Sequence, residues 1–250
     1  MIKKLGLIGF PLGHSFSAGF FKSKFQKEKI EGYSYQNFEI SSIELLPEII
    51  TNNPDLLGFN VTIPYKEAVI PFLDELSPEA KAIGAVNTVK IYRENGTVKL
   101  KGFNTDCFGF SESLKPFLAS NHYKALILGT GGAAKAVEYV LKNIGIEVLY
   151  VSRNASAKNE VPYDVINKIA VKSFPLIINS TPLGMHPNTD SCPSIPYEHL
   201  DSNNLLFDLI YNPKETLFLK KGKAKGAITL NGLQMLKLQA EKAWEIWTVD

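Results

Sequence analysis

Gly129-Thr130-Gly131-Gly132-Ala133-Ala134 has the spacing G-x-G-x-x-G/A. The first glycine of such a run makes a tight turn, the second admits a pyrophosphate to the backbone, and the small last residue lets a helix pack on a strand. Just before it, Ala125–Leu128 is an unbroken apolar run, and just after it a helix-like stretch, Ala133–Lys142, leads to Glu147–Val151, which reads as a second buried strand. A glycine turn alone is also what a tight turn without any ligand requires. The strand–turn–helix–strand context makes it a dinucleotide cradle. Ser152-Arg153-Asn154 follows the second strand, where a carboxylate would bond a ribose 2′-hydroxyl and an arginine a 2′-phosphate. No carboxylate stands there, and the planar guanidinium of Arg153 can stack on adenine and grip phosphate, so the expected cofactor is NADP rather than NAD.

Other reactive groups lie earlier in the chain. Ser15 and Ser17 precede an expected helix over about Ala18 to Lys29, as caps or as a site for a small anion such as a carboxylate. Thr62 and Lys66 follow an apolar strand, Leu57–Ile63, at the end where open α/β sheets bind ligands; otherwise Lys66 is a solvated charge. Asp106 ends Gly102-Phe-Asn-Thr-Asp106, where it either caps a helix running to about Leu118 or stands at the junction of two halves of the chain.

The elements that must position these groups alternate between strand and helix. Leu5–Gly9 and Tyr33–Ile40 read as strands, and Ser42–Thr51 as a helix capped by Ser41 or Ser42. Ser77-Pro78-Glu79 opens a short helix. Ala85–Tyr92 pairs with Val98–Leu100 through Asn95-Gly96, a strong hairpin signal. After a polar loop over Asn154–Glu160, Pro175–Asn179 and Leu205–Leu209 read as strands whose loops line the cofactor. Asn231 caps a last helix from Gly232 to about Trp247, with Leu233, Leu236, Ala240 and Ala243 to Trp244 on its buried face.

With 250 residues and a cofactor unit that starts only near residue 123, two α/β domains are expected. The composition is 45% hydrophobic and 21% charged, and the net charge of +2 is too small to argue for nucleic acid. No apolar run approaches the roughly 20 residues of a membrane span, and the N-terminus lacks a signal-peptide pattern, which gives a cytoplasmic expectation. Cys107 and Cys192 are far apart and suit reduced thiols, and His14, His122, His186 and His199 form no ligand pattern, so no metal is expected.

In order along the chain, these motifs resemble the shikimate dehydrogenase family. They are Gly9-Phe-Pro-Leu-Gly-His-Ser-Phe-Ser17, Asn60-Val-Thr-Ile-Pro-Tyr-Lys66, Gly84-Ala-Val-Asn-Thr88, Gly102-Phe-Asn-Thr-Asp106, the glycine turn, Asn179-Ser-Thr-Pro-Leu-Gly184, Asp208-Leu-Ile-Tyr211, and Gly232-Leu-Gln-Met-Leu236 with Gln239. The resemblance implies reversible, NADPH-dependent reduction of 3-dehydroshikimate to shikimate. It also implies a substrate-binding domain over 1–105 plus 232–250 and a Rossmann-type NADP domain over 106–231, separated by a cleft, in a monomer or homodimer.

Carried over residue by residue, Ser15 and Ser17 hold the substrate carboxylate. Thr62, Lys66, Asn87, Asp106 and Gln239 meet its ring hydroxyls or carbonyl, with Lys66 and Asp106 as the catalytic pair. Tyr211 lies near substrate and nicotinamide. Gly129, Thr130, Gly131, Gly132, Ala133, Ser152, Arg153, Asn154, Thr181, Leu209, Gly232 and Met235 line the cofactor. Hydride transfer to a carbonyl carbon needs a proton at its oxygen, which a lysine paired with an aspartate supplies; because the two titrate together, the sequence leaves open which carries it.

Two stretches depart from the family pattern. Ala18-Gly-Phe-Phe-Lys22 stands where Pro-x-x-His-Asn is usual, and Ser152-Arg-Asn-Ala-Ser-Ala157 lacks the second arginine of the phosphate clamp, with Lys158 beside it. Alternative readings are a quinate/shikimate dehydrogenase able to use NAD, a methyltransferase, which would want an acidic residue after its second strand, and an inactive cofactor sensor, which need not keep Lys66 and Asp106 together.

Overall fold

The computed structural model describes residues 2–13 and 16–249. The chain divides into two compact units, one of residues 1–105 with 239–250 and one of residues 106–238. Both are α/β, as the alternating pattern predicts.

The first unit contains β1 (Lys3–Gly9), α1 (Phe16–Lys27), β2 (Tyr33–Glu39), α2 (Leu46–Asn52), β3 (Leu56–Val61), β4 (Glu75–Leu76), α3 (Pro78–Ile83), β5 (Thr88–Glu94) and β6 (Thr97–Phe103). Its sheet runs β2-β1-β3-β5-β6-β4. β1 lies parallel to β2 and β3, and β5 is antiparallel to β3 and β6. The β5–β6 hairpin turns at Asn95 and Gly96, both at positive φ (50° and 79°), the backbone that a type I′ turn demands and that Asn-Gly tolerates.

One face of this sheet is covered by a cluster including Ile8, Phe59, Val61, Val69 and Val89. The other is covered by Leu5, Phe21, Ala240, Ala243 and Trp247. Trp247 reaches the backbone of β3 only because Gly58 has no side chain, since a Cβ there would stand 2.4 Å from the indole nitrogen. That nitrogen donates to the Val89 carbonyl at 2.9 Å. Phe21 is fully buried, stacked on Tyr35 at 4.5 Å, and stands in the stretch that departs from the family pattern. Burying such a ring contributes about 1.5–3 kcal/mol.

The second unit contains α4 (Asp106–Leu114), β7 (Lys124–Leu128), α5 (Gly132–Asn143), β8 (Glu147–Val151), β9 (Glu160–Val161), α6 (Lys168–Ser173), β10 (Leu176–Asn179), β11 (Leu205–Asp208), α7 (Leu217–Lys223), β12 (Ile228–Asn231) and the start of α8 (Leu233–Thr248). Its sheet, β12-β11-β10-β7-β8-β9, is parallel throughout. That is why Ala125–Leu128 and Leu176–Asn179 are buried at every position and read as unbroken runs.

Several boundaries differ from the sequence expectation. α1 starts at Phe16, so Ser17 is its second residue, and it stops at Lys27 ahead of Lys29, which turns left-handed at φ 54°. The stretch expected as one capped helix over Ser42–Thr51 is a 3-10 turn, Ile43–Leu45, followed by α2; Ser42 makes no cap bond and its hydroxyl instead donates to Glu44. Pro47, in the first turn of α2, has no N–H to spend and sets the later start. The strand expected from Ala85 begins at Thr88; Val86 N–H bonds to Lys66 O, in the loop after β3, rather than to a neighbouring strand. α4 ends at Leu114 rather than Leu118, where Pro116 turns the chain into a 3-10 segment. The buried positions of α8 are Met235, Gln239, Ala240, Ala243 and Trp247, rather than Leu233 and Leu236.

Candidate active site

In the second unit the glycine turn leaves β7 at Gly129, whose φ of 103° excludes ordinary side chains. Gly129 N–H returns to Val151 O at 2.9 Å, tying the turn to the end of β8. Gly131 is the N-cap of α5 and offers no side-chain cap, and a Cβ on it would meet nothing within 4 Å. The first turn of α5 carries no acidic residue. Uncapped N–H groups, the positive end of the helix dipole and open space beside Gly131 together fit a pyrophosphate. Ala134 is fully buried, as the close packing of helix on strand requires.

Beyond β8, Ser152 Oγ accepts from Asn154 N–H at 3.3 Å, which curls the loop that presents the exposed Arg153. Where the family clamp has its second arginine, Ser156 N–H and Ala157 N–H instead donate to Glu160 (2.9 and 3.4 Å), closing the loop on itself. Arg153 acts electrostatically on the Tyr163 phenol, whose pKa burial raises.

The loop after β10 lies against the glycine turn, and the loop after β11 is tied to it. Asn179 ends β10 and Asp208 ends β11, and both are fully buried. Asn179 Oδ1 accepts from Thr181 N–H (3.0 Å) and from the Thr181 hydroxyl (2.6 Å). Ser180 Oγ donates to Leu128 O at 2.7 Å, and a Cβ on Gly129 would meet Ser180 Oγ at 2.9 Å and Thr181 Cγ2 at 3.0 Å. Thr181 therefore stands directly against the glycine turn. Leu209 and Gly232 are also brought together: a Cβ on Gly232 would lie 2.0 Å from Leu209 O, and Gly232 N–H donates to Ile210 O at 3.0 Å. Asn231 Oδ1 accepts from Leu233 N–H (3.1 Å), the expected cap of α8, and Met235 is buried one turn on. Tyr211 is partly buried, and burial raises its pKa.

In the first unit, Ser17, Asn87 and Gln239 belong to one hydrogen-bonded chain, partly buried at Ser17 and Tyr35 and buried from Asn60 onward. The Ser17 hydroxyl bonds the Tyr35 phenol, which donates to Asn60 Oδ1 at 2.8 Å. Asn60 Nδ2 donates to Thr88 Oγ1 (3.1 Å), and Thr88 Oγ1 donates to Asn87 Oδ1 (3.3 Å). Asn87 Nδ2 donates to Thr105 Oγ1 (3.0 Å), which donates to Gln239 Oε1 (3.3 Å). Thr105 N–H also donates to Asn87 Oδ1 at 2.7 Å. Burial keeps the Tyr35 phenol protonated far above its ordinary range, so the chain is neutral from end to end. Such a network fixes rotamers without adding charge, which suits a ligand rich in hydroxyl groups.

Thr62 and Lys66 follow β3. Thr62 N–H donates to Ile8 O (2.9 Å), and Gly9 leaves room for the threonine methyl, 2.4 Å from where a Cβ would be. Lys66 O accepts from Val86 N–H at 2.7 Å, which holds the lysine beside the Asn87 segment. Asp106 opens α4 in the second unit and follows Thr105 directly in the chain. Ser15 lies outside the described residues. Among the described residues no three His, Cys, Asp or Glu side chains are grouped to hold a metal ion, and no helix is long and apolar enough to cross a membrane.

The residues that tie the first unit's network together without having been singled out are Tyr35, Asn60, Thr88 and Thr105, and in the second unit Asn179 and Asp208 do the same for the loops after β10 and β11. Each is a polar residue at or near a strand end in the family-like motifs or the strand beside them. The sequence signal for them was a hydroxyl, amide or carboxylate amid apolar neighbours.

Residues 7–89 match the family model described as shikimate dehydrogenase substrate binding domain. A protein of Clostridium beijerinckii named shikimate dehydrogenase (NADP(+)) is 43% identical, over 97% of this chain and 90% of its own length. One of the same name from Desulforamulus reducens is 38% identical, over 97% of this chain and 89% of its own. A crystal structure of shikimate 5-dehydrogenase from Thermus thermophilus, in complex with NADP(H) and shikimate, superposes with a TM-score of 0.85 at 34% identity, covering 99% of this chain and 94% of that one.

Proposed function

The chain belongs to the shikimate dehydrogenase family, and from that membership we propose that it catalyses the reversible, NADPH-dependent reduction of 3-dehydroshikimate to shikimate. The observation that supports this reading most is the neutral hydrogen-bonded network through Ser17, Asn60, Asn87 and Gln239 near the end of β3, whose amides and hydroxyls suit a small hydroxylated acid. The open glycine turn of the second unit supports the dinucleotide.

In this reading the first unit binds substrate and the second binds NADP. Ser15 and Ser17 take the substrate carboxylate, and Thr62, Asn87 and Gln239 orient the ring hydroxyls. Lys66 and Asp106 share the proton that is delivered to the carbonyl oxygen of 3-dehydroshikimate and taken from the hydroxyl of shikimate in the reverse direction. The hydride chemistry belongs to the nicotinamide when it is bound. Gly129, Thr130, Gly131, Gly132 and Ala133 hold the pyrophosphate. Ser152, Arg153 and Asn154 hold the 2′-phosphate, and Thr181, Leu209, Tyr211, Gly232 and Met235 line the nicotinamide side. Cys107 and Cys192, which form no disulfide, agree with a cytoplasmic enzyme, working as a monomer or homodimer without nucleic acid or membrane as partner.

The test is a four-way assay of shikimate and quinate, each against NADP and NAD. Turnover greatest with shikimate and NADP supports the reading. Activity with quinate and NAD at the same level places the chain with the broader quinate/shikimate enzymes, and none with any pair refutes catalysis.

A further inference from the structure

Asp208 is a fully buried carboxylate to which catalysis assigns no task. It accepts three hydrogen bonds, from the Thr216 hydroxyl (2.5 Å), from Asn179 Nδ2 (3.0 Å) and from Ile210 N–H (3.0 Å). Each donor belongs to a different piece of the cofactor side. Asn179 holds Thr181 by two bonds, and Thr181 abuts Gly129. Ile210 lies between Leu209 and Tyr211, and its carbonyl receives Gly232 N–H. Thr216 is the N-cap of α7, accepting from Leu219 N–H at 3.4 Å, and packs against Gly184.

The geometry points to Asp208 as a positioning residue for dinucleotide binding, which locks the loops after β10 and β11 to each other and thereby sets Thr181, Leu209 and Gly232 relative to the glycine turn. The inference rests on the NADP reading above. An asparagine would fill the same volume and could keep its oxygen on Asn179 and Ile210, but its Nδ2 would then donate to Thr216, so the Thr216 bond reverses and all three contacts lose the charge assistance that the carboxylate gives them. The chain keeps the charge although burial opposes it and lifts the Asp208 pKa to about 6. The groups that bond it are neutral, and the Tyr197 phenol, which burial holds protonated, is the titratable group within its electrostatic reach.

The test is Asp208→Asn in the full chain, with dissociation constants for NADPH, NADH and shikimate measured by calorimetric titration well below the midpoint of thermal unfolding. The expected result is a rise of tenfold or more for NADPH and for NADH by the same factor, because the lock acts on the shared half of the cofactor, with shikimate affinity unchanged within twofold. Hydrogen exchange of amides 180–184 and 209–211 should speed up in the same variant. A folded variant with unchanged NADPH affinity overturns the inference, and so does an equal loss for shikimate, which marks general destabilisation. Should Asp208→Asn fail to fold, Thr216→Val removes one of the three bonds and leaves the carboxylate, and a loss of two- to fivefold for both dinucleotides is then expected, with no loss overturning the role. If the wild-type chain binds neither dinucleotide, the NADP reading itself has failed and the role of Asp208 falls with it.

Discussion

At the scale of single residues, the reaction needs one proton at one oxygen, and Lys66 with Asp106 is the pair proposed to manage it. Lys66→Ala should lower kcat by roughly 10²–10⁴-fold, the usual contribution of a positioned acid–base group, while NADP binding survives. If the two act as a unit, the double alanine variant loses much less than the product of the single losses; a strictly multiplicative loss would show that they work independently. Arg153→Ala should raise KM for NADP tenfold or more and leave KM for NAD nearly unchanged, since a charge-assisted bond to the 2′-phosphate is worth about 1.5–3 kcal/mol. Equal effects on both cofactors would remove Arg153 from the clamp.

Asp208 also carries a pH signature. Its folded-state pKa is raised from 3.8 to about 6, so the native state binds this proton more tightly than the unfolded chain does. The stabilisation is complete below about pH 4 and is lost as pH rises through about 6, a swing of about 3 kcal/mol. His122 works in the opposite sense: burial lowers its pKa, and its Nδ1 accepts from Ala119 N–H at 3.0 Å, so protonating it on acidification costs stability. Urea unfolding of wild type and Asp208→Asn, compared from pH 4 to 8, should therefore show a stability difference that changes between pH 4 and 7 and levels off above. A difference constant across that range would contradict the raised pKa.

At the scale of elements, the turn into α5 separates two kinds of glycine. Gly129 needs its positive φ and has Ser180 and Thr181 against it, whereas Gly131 has φ −74° and open space where a Cβ would go. Gly131→Ala should therefore leave the urea midpoint nearly unchanged while raising KM for NADP at least tenfold, because the methyl group occupies the approach of the pyrophosphate. A variant with normal KM would show that the backbone is not approached there. Gly58 is the opposite case, a glycine required by packing alone, because the indole of Trp247 fills its place.

At the scale of the molecule, each unit has its own core, and the proposed ligands divide between them. A ligand at 100 times its Kd stabilises what it binds by about 2.7 kcal/mol. Hydrogen exchange read by mass spectrometry should show NADP slowing the β7–α5 turn and the loop after β8, and shikimate slowing the segments around Asn60–Lys66 and Asn87. NADP protecting the first unit as strongly as the second would contradict the division of roles.

Wherever structure depends on neighbours in the chain, the residues alone determined it. The β7–α5–β8 unit, the Asn95-Gly96 hairpin and the caps of α3 by Ser77 and α8 by Asn231 follow from apolar runs and turn residues a few positions apart. The order of motifs likewise carried the family resemblance and the choice of Lys66, Asn87 and Gln239. What only the tertiary structure decided are the contacts between distant strand ends and the charge states that burial sets. Asp208 meets Asn179 across 29 positions because the parallel strands β10 and β11 bring their carboxyl ends to one edge of a sheet, and Asn87 meets Gln239 across 152 because α8 packs on the first unit's sheet beside the start of β5. No local pattern encodes such a meeting. Nor does any encode that the carboxylate formed there loses its water and is held by three donors instead, which is what turns an ordinary aspartate into the one that shapes the cofactor side.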